Sequence, residues 1–302
     1  MMKQRRQGRG TPRRHVVTST GRLSVHEVFP TRVAMARGKS AIVVVAAALS
    51  IFAVIFVLVQ RKRSASFDLR VTLRLQKQNQ PWFSRLMEIV SWPGFPPQSR
   101  IIPPALAAGL LVLGFPLEAL FQLAGWGAGG ISTVLKRIMR RSRPSSAEVR
   151  VLPARIGGSS FPSGHVLIYT GVYGFLAFLI ETLVRSNRIR RAAIGGLTAL
   201  IALVGPSRIY LGHHWFTDVM ASYLLGASYL LGLTALYRQL KTRWINRRYE
   251  HLRQEREIYR DGKLRVADAT HRVQEHPDRV RVFPTLSRRH GVEELDAPAF
   301  PL

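Results

Sequence analysis

The feature that most constrains this chain is a run of nineteen uncharged, almost wholly apolar residues, Ala41–Val59. A helix needs about 20 residues to cross the hydrocarbon core of a bilayer. The basic stretch Arg61-Lys62-Arg63 follows the run closely, as is typical of a membrane boundary. The run predicts a transmembrane helix, so the rest of the chain must fold with part of it in a membrane.

Further apolar runs follow. Ile101–Leu135 contains a single charge, Glu118, and is too long for one span, so it predicts a helical hairpin that turns near Phe115 and Pro116. The remaining runs are Val166–Val184, Ala192–Val204 with its extension through Tyr210, and Trp215–Tyr237. Together these runs predict an all-α, polytopic membrane bundle of about six transmembrane helices. The second arm of the hairpin contains Gly125, Gly127, Gly129 and Gly130, which permit close helix packing.

The segment 66–97 is too polar to span a bilayer. Leu69, Val71, Leu73 and Leu75 alternate with polar residues. One interpretation is an amphipathic segment in the membrane interface, with Trp82 and Trp92 at headgroup level. A helix in a soluble loop fits the pattern equally well.

Charge divides the chain into regions. The net charge is +28, from 45 Lys and Arg against 17 Asp and Glu. Such a balance often indicates a nucleic-acid partner, but here the excess lies beside apolar runs and in the N-terminal arm, where anionic lipid headgroups are the expected partner. The sequence predicts a basic, disordered cytosolic arm over 1–40, a transmembrane domain over 41–240 and a charged cytosolic tail over 241–302. There is no cysteine, so disulfides and thiolate chemistry are excluded.

Six spans would place both termini on one side. With cytoplasmic termini, that side holds 19 Lys and Arg and the opposite side 16, so the positive-inside rule supports a cytoplasmic position for both ends only weakly. The basic residues on the far side then indicate an anionic substrate.

The stretch between the last two runs holds the densest chemistry. His214 and Asp218 are four residues apart, which on a helix places them on one face. The Asp218 carboxylate is expected to fix the imidazole tautomer and leave the other nitrogen nucleophilic. Arg208, just upstream, offers a planar cation suited to phosphate oxygens.

Two further clusters lie at span ends and, in this topology, on the same side. Lys136 and Arg143 supply cations for phosphate oxygens, and Pro144 stiffens the chain after them. Ser163 and Gly164 begin a helix whose backbone N–H groups point at an anion.

The joint chemistry is that of phosphoryl transfer. His214 is predicted to attack phosphorus and form a phosphohistidine. His165 is predicted to protonate the leaving alkoxide and then to activate water. No carboxylate cluster suits a metal, so no cofactor is expected and the mechanism is predicted to be metal-independent.

The three clusters together resemble the type 2 phosphatidic acid phosphatase superfamily, whose motifs read Lys-x6-Arg-Pro, Pro-Ser-Gly-His and Ser-Arg-x5-His-x3-Asp. The matching positions are Lys136, Arg143, Pro144, Pro162, Ser163, Gly164, His165, Ser207, Arg208, His214 and Asp218. The resemblance covers about residues 60–240. It implies a helical membrane core, a metal-free phosphohistidine mechanism and an active site on the extracytoplasmic face.

Residues outside the motifs have plainer interpretations. Ser222 stands where members often have Gly, which should alter helix packing without touching the chemistry. Arg141 is expected in a solvated or headgroup-facing patch, with a contribution to substrate attraction. His213 is expected to be structural or interfacial, Trp215 to lie at headgroup level and Glu118 to be interfacial.

These observations predict an integral membrane phosphatase that hydrolyses a lipid phosphate or pyrophosphate. The candidate substrates are phosphatidic acid, phosphatidylglycerol phosphate and undecaprenyl pyrophosphate, and transfer to an acceptor other than water is a close variant. The alternative is a catalytically silent membrane protein that binds anionic lipid or scaffolds a partner. His165, His214 and Asp218 argue against it, because anion binding alone needs no nucleophile or acid. A soluble vanadate-binding haloperoxidase is excluded by the apolar runs.

Overall fold

The computed structural model describes residues 31–154 and 156–275, and these residues are helical or irregular, with no strand among them. This confirms the predicted all-α class. The helices are α1 (Thr31–Gln60), α2 (Ala65–Gln76), α3 (Pro81–Ser91), α4 (Gln98–Val112), α5 (Pro116–Trp126), α6 (Ala128–Met139), α7 (Gly164–Ile168), α8 (Gly174–Leu183), α9 (Asn187–Tyr210) and α10 (Phe216–Glu275). A 3₁₀ turn (Trp92–Gly94) follows α3, and a π-helical turn (Tyr169–Tyr173) joins α7 to α8.

The predicted arm falls largely, and the predicted tail partly, beyond these limits. Residues 1–30 of the arm and 276–302 of the tail lie outside the described residues, and helix α1 begins within the predicted arm, at Thr31. The two terminal regions therefore stay predictions.

Four helices within the described ranges are long and apolar enough to cross a membrane: Ser40–Gln60, Gly164–Leu183, Asn187–Tyr210 and Phe216–Arg247. They correspond to four of the predicted spans. The predicted hairpin is also present, because α4 packs against α5 across a turn at Gly114, whose φ of +80° suits glycine. However, its second arm is divided at Gly127 into α5 and α6, and α4, α5 and α6 each have fewer than 18 residues. The count of six spans is therefore not confirmed.

The continuous segment α7–α8 is the centre of the bundle. Of its most apolar stretch 56% is buried, against 11% for α1, so α1 lies at the periphery. Tyr169, Val172 and Phe175 are fully buried along it. At the crossing with α5, a Cβ on Gly125 would lie 2.7 Å from the Gly171 carbonyl oxygen. The predicted role of Gly125 in close packing is thus confirmed, since only glycine lets these two backbones touch.

Helices α2 and α3 settle the organisation of the segment 66–97. Both pack against α9, and their buried residues include polar ones, Asp68, Thr72 and Ser91. The hydroxyl of Tyr210, at the end of α9, is hydrogen-bonded to the Ser84 hydroxyl of α3 at 2.6 Å. These helices are therefore integral parts of the bundle, which neither interpretation of the segment anticipated.

The loop between α6 and α7 lies against the turn between α9 and α10. Arg140 ends α6 in a left-handed conformation with φ +46°. Farther along, the Leu152 N–H donates to the Leu211 carbonyl at 3.0 Å, next to Gly212. Gly212 has φ +71°, and a Cβ there would collide with the Arg150 backbone. The loop and the turn can approach because residue 212 is glycine, and this brings the three sequence motifs to one end of the bundle.

The chain divides into two compact units, one through Tyr237 and one from Arg238. The described part of the second unit is helical as far as Glu275. Within it, the Lys241 ammonium lies 5.4 Å from the ring centroid of Trp244. The features of the candidate site all belong to the first unit.

Candidate active site

Arg208, in the last turn of α9, is fully buried. Its Nη1 donates to the Ser91 hydroxyl at 2.7 Å, and its guanidinium lies 4.8 Å from the Phe95 ring centroid. Its Nε and Nη2 have no hydrogen-bond partner among the described residues. Buried N–H groups of a permanent cation are strongly unfavourable without acceptors. Arg208 is therefore arranged to receive the oxygens of an anion.

His214 lies in the turn that follows, and its ring is oriented by the backbone. The Arg208 carbonyl accepts the N–H groups of His213 and His214, at 3.0 and 3.2 Å. The His214 Nδ1 lies 2.7 Å from the carbonyl of Ser160. Since a carbonyl only accepts, Nδ1 holds the proton and Nε2 keeps its lone pair. Nε2 lies 3.4 Å from Nη1 of Arg143.

Asp218 does not hold the imidazole in the predicted way. Its Oδ2 lies 3.7 Å from the His214 Nδ1, beyond hydrogen-bonding range, and accepts the Trp215 N–H at 2.9 Å instead. Its Oδ1 accepts from Arg141 at 2.5 Å. His214 and Asp218 do lie side by side as predicted, although His214 belongs to the turn before α10 and does not share a helix with Asp218. The tautomer is fixed by the Ser160 carbonyl, while Asp218 supplies a nearby negative charge.

The expectation for Arg141 was wrong. Its Nη1 contacts Asp218, and its Nη2 donates to Asp68 at 2.6 Å, so its guanidinium joins two fully buried carboxylates. Asp68 also accepts from the N–H and hydroxyl of Thr217, at 2.8 and 2.9 Å. We call Asp68, Arg141, Thr217 and Asp218 the anchoring cluster. It ties α2 to the loop after α6 and to the first turn of α10, so Arg141 is not available to a headgroup or substrate.

His165 and Ser163 lie at the start of α7, where the sequence predicted a helix to begin. His165 is packed between Gly94, which has no room for a Cβ, and the ring of Phe95, whose centroid is 4.7 Å away. The His165 Nε2 and the Ser163 Oγ are buried without a hydrogen-bond partner in the described part of the chain. With Arg208 they form a group of buried polar side chains with unmade bonds, which we call the open cluster.

Ser222 contacts the second motif directly. Its hydroxyl accepts the Ser163 N–H at 2.7 Å and donates to the Asp218 carbonyl at 2.6 Å. It thus engages one backbone N–H that was predicted to face an anion, while its effect on the chemistry stays a prediction. The side-chain hydroxyl of Ser163, by contrast, has no hydrogen-bond partner among the described residues.

Lys136 and Arg143 add positive charge. A Cβ on Gly164 would lie 3.7 Å from the Lys136 Nζ, which places this ammonium at the second motif. The Arg143 guanidinium donates mainly to backbone carbonyls: His213 at 2.7 Å, Gly157 at 3.1 Å and Gly158 at 3.2 Å. Arg143 therefore holds the loop and contributes its charge, whereas Arg208 retains unmade bonds.

Electrostatic interactions couple the charged residues of the first and third motifs. Burial and the charges of Arg143 and Arg208 lower the pKa of Lys136 to about 8, against a smaller raising effect of Asp218. Burial lowers the pKa of Arg143. Burial and the cations Arg208, Arg143 and Lys136 hold the pKa of His214 well below its usual range. A bound anion would offset the mutual repulsion of these three cations, and the lowered pKa keeps His214 neutral at pH 7.

The other polar residues nearby have structural roles. His213 is buried and its Nε2 meets the Leu152 carbonyl at 2.9 Å, so it is structural, and burial beside Arg208 lowers its pKa to about 4. Trp215 is buried and donates to the Ser142 carbonyl, contrary to a headgroup position. Glu118 is 1% exposed and accepts the Tyr237 hydroxyl at 2.8 Å, so it is not interfacial.

Sequence reasoning missed Asp68, Ser91, Phe95 and the carbonyl of Ser160. Only Asp68 left a signal, since it is the sole acid between Gln60 and Met87 in a strongly basic segment. The others are ordinary residues whose importance comes from packing. Among the described residues, no three His, Cys, Asp or Glu side chains are grouped to hold a metal ion.

Comparison with known proteins identifies similar sequences and one similar fold. Residues 117–243 match the model of the PAP2 superfamily. The chain is 31% identical over 153 residues to phosphatidylglycerophosphatase B of Bacillus subtilis (strain 168), a match covering 49% of this chain and 71% of that protein.

The fold is similar to the crystal structure of a transmembrane PAP2-type phosphatidylglycerolphosphate phosphatase from Bacillus subtilis. The TM-score is 0.58 at 23% identity, covering 65% of this chain and 96% of the other. The resemblance found in the three motifs and the multi-pass membrane architecture are thus confirmed. The chain belongs to the PAP2 superfamily, the type 2 phosphatidic acid phosphatases.

Proposed function

We propose that this protein is an integral membrane phosphatase that hydrolyses a lipid phosphate or pyrophosphate and releases inorganic phosphate. The observation that carries the proposal is the open cluster. Arg208, His165 and Ser163 hold buried polar atoms without partners in the described chain, in a site that also holds the neutral imidazole of His214. A phosphate oxygen is an acceptor for each of these donors. The similarity to phosphatidylglycerophosphatase B supports the same enzyme class.

The reaction proceeds in two steps. The Nε2 lone pair of His214 attacks phosphorus, a P–N bond forms, and the bond from phosphorus to the leaving oxygen breaks. His165, doubly protonated once the substrate dianion offsets the nearby cations, gives its Nε2 proton to that oxygen and becomes neutral, so the lipid leaves as an alcohol, or as a lipid monophosphate from a pyrophosphate. Water then attacks phosphorus, the P–N bond to His214 breaks, and the attacking water passes a proton back to His165. The products are inorganic phosphate and the original enzyme.

The cations stabilise the charge that develops on the phosphoryl oxygens. Arg208 offers Nε and Nη2, while Lys136 and Arg143 act mainly through charge. Buried in surroundings of low polarity, such groups stabilise a transition state more strongly than they would in water. Asp218 stabilises the imidazolium character that His214 acquires as it attacks, from 3.7 Å away.

The site lies, in this proposal, on the extracytoplasmic face, with both termini in the cytoplasm. The family resemblance supports this orientation. A cysteine introduced at Ala147, an exposed position in the loop after α6, should react with an impermeant maleimide in intact cells. Protection of that cysteine until the cells are lysed would contradict the orientation.

The decisive experiment measures phosphate release by the purified protein in detergent with excess EDTA. The panel contains phosphatidic acid, phosphatidylglycerol phosphate and undecaprenyl pyrophosphate, with added glycerol to detect transfer to an alcohol. We expect wild type to hydrolyse at least one lipid, and His214→Gln to lose about 10³-fold or more in kcat. A folded His214→Gln protein of full activity would remove the assigned nucleophile, and activity abolished by EDTA would remove the metal-free mechanism.

The competing candidate is a silent protein that binds anionic lipid. It is favoured if wild type binds the lipid phosphates in the panel and hydrolyses none of them. The unprotonated Nε2 of His214 argues against it, because a site that only binds an anion gains nothing from an imidazole nitrogen kept unprotonated beside its cations.

A further inference from the structure

A cavity of about 520 Å³ lies at the end of the span Ser40–Gln60, and the proposed mechanism does not use it. Val59 and Gln60, the last residues of that span, contribute to its lining together with the start of α2 and the loop after α6. Because a span ends where the hydrocarbon core meets the headgroups, the cavity lies at the level of lipid phosphates. The cavity is strongly basic, since against one acid, Glu148, its lining contains Lys62, Arg140, Arg141 and Arg143.

Two of these four bases are already engaged elsewhere. Arg141 is paired with two buried carboxylates, and Arg143 donates to backbone carbonyls while its charge contributes to the catalytic site. Lys62 and Arg140 are exposed, and neither forms an ion pair within the described ranges. These two side chains therefore have their charge available for a ligand in the cavity.

The backbone at Lys62 and Arg140 is unusual. Their φ angles are +55° and +46°, and no other non-glycine residue among those described has a positive φ. At the end of α1, the N–H groups of Lys62 and Arg63 donate to the carbonyls of Val59 and Leu58. Glycine is the usual residue at the position that Lys62 occupies in this arrangement, because it adopts the left-handed conformation without strain. At both helix ends, a base that lines the cavity stands in its place.

The helix dipole does not account for these two bases. A cation near the C-terminus of a helix does interact favourably with the dipole. However, Arg61 directly after α1 and Arg137 in the last turn of α6 already supply that charge, with negative φ and outside the cavity lining. The conformational cost at Lys62 and Arg140 is instead explained by where their side chains lie, which is at the cavity.

We propose that this cavity is a second binding site for a phosphate group, held mainly by Lys62 and Arg140. The oxygens of a phosphate accept charge-assisted hydrogen bonds from both side chains. Basic pockets of membrane proteins at this level bind the headgroups of anionic lipids. Free phosphate has the same chemistry, so the ligand class is a phosphate group, and experiment must distinguish the lipid-borne from the free form.

The second site is separate from the catalytic one. Of the residues that line it, Arg143 is the one that also reaches the catalytic imidazole, with its Nη1 3.4 Å from the His214 Nε2. The lining contains neither His165 nor Arg208. Binding in the cavity therefore does not depend on the proposed reaction, and a protein that hydrolysed no lipid phosphate would still bind phosphate groups there.

The test removes the two charges of the cavity and compares the loss with a matched control. The test protein combines Lys62→Gln and Arg140→Gln, and the control combines Arg61→Gln and Arg137→Gln. The control removes the same charge from the same two helix ends, at exposed positions that do not line the cavity. Both sets, and a parent protein without them, contain Arg208→Gln to weaken phosphate binding at the catalytic site.

Two probes distinguish the sources of the phosphate group. Phosphatidylglycerol binding to the detergent-solubilised full chain is measured by native mass spectrometry, and inorganic phosphate binding by isothermal titration calorimetry. We expect the Lys62 and Arg140 variant to raise the Kd of phosphatidylglycerol about 30-fold, and the control to change it by less than about threefold. A parallel loss of inorganic phosphate binding would show that the site also takes free phosphate, whereas equal phosphate binding by all three proteins would make the ligand lipid-borne.

Three results would overturn the proposal: a parent protein that binds neither probe, a test protein that binds both like the parent, or an equal loss in the control, which would indicate diffuse surface attraction. A variant combining Lys62→Gly and Arg140→Gly adds a readout that a structural role would not give. It should lose phosphatidylglycerol binding and unfold a few degrees higher, because glycine relieves the left-handed conformation. A lower unfolding temperature with unchanged lipid binding would make both side chains structural and refute the site.

Discussion

The two buried polar clusters are opposite in character. In the anchoring cluster, Asp68 accepts three hydrogen bonds and Arg141 joins it to Asp218. In the open cluster, Arg208, His165 and Ser163 keep buried atoms without partners in the described chain. In a stable structure, buried polar groups usually have hydrogen-bond partners. Unmade bonds among residues of two separate motifs instead indicate a place for a ligand.

Arg208→Gln should have the largest effect. We expect kcat/KM for a lipid phosphate to fall about 10³-fold, as when a charge-stabilising donor is lost from an active site. Thermal stability should be unchanged or higher, because removing a buried charge with unmade bonds relieves its desolvation. Steady-state kinetics and thermal unfolding, with and without inorganic phosphate, measure both. If stability fell and activity changed little, Arg208 would have an anchoring role, and the distinction between the two clusters would be refuted.

Asp68→Asn should show the reverse pattern. It leaves Arg141 with one carboxylate in place of two, and breaking a buried ion pair typically destabilises by about 3–5 kcal/mol. We expect a clear fall in unfolding temperature and at most about a tenfold loss of kcat, with unchanged inhibition by inorganic phosphate.

The matched control for Asp68 is Glu148→Gln, because Glu148 is an exposed acid whose carboxylate, within the described residues, accepts only from the hydroxyl of Ser145 in the same turn. It should change stability by less than about 0.5 kcal/mol. If Asp68→Asn raised the inhibition constant of phosphate and left stability intact, the two clusters would not be separate in function.

The pH dependence should be smaller and arises from Lys136. Its pKa of about 8 means that the ammonium is charged below pH 8 and loses its charge as the pH rises further. Substrate phosphate is already doubly ionised there, since its second pKa is about 6. We therefore expect kcat/KM to decline above about pH 8, by roughly tenfold per pH unit.

Lys136→Arg is the control for that decline, because a guanidinium stays charged throughout this range. The alkaline decline should disappear in the variant while activity at pH 7 is largely retained. A decline that persists unchanged in Lys136→Arg would assign it to a different group.

The sequence predicted the groups that make up the open cluster better than the partners that hold them. Short motifs at helix ends placed Arg208, His165 and His214 correctly because local spacing determines which residues share a turn. The sequence also predicted the hairpin and the long apolar helices, because the length and periodicity of an apolar run are local properties. The division at Gly127 was missed because glycine is equally compatible with a continuous membrane helix.

The anchoring cluster could not be predicted in this way. Arg141 meets Asp68 across 73 positions and Asp218 across 77, and nothing in the local pattern of any of these segments specifies the pairing. Arg141 therefore looked like one more basic residue of an exposed patch. His214 shows the same limit on a smaller scale, since the i,i+4 spacing indicated Asp218 as its hydrogen-bond partner and the structure places the Ser160 carbonyl there.

Gly94 has a consequence for how this enzyme can be divided. It lies 23 residues before the matched family region begins at residue 117, yet it is in direct contact with the imidazole of His165. Ser91, on the same turn, holds Arg208. A minimal fragment cut at the family boundary, or a chimera that takes only the motif-bearing helices from this chain, would lack the surface that fixes both side chains. The smallest transplantable unit therefore begins no later than α2, with Asp68 included.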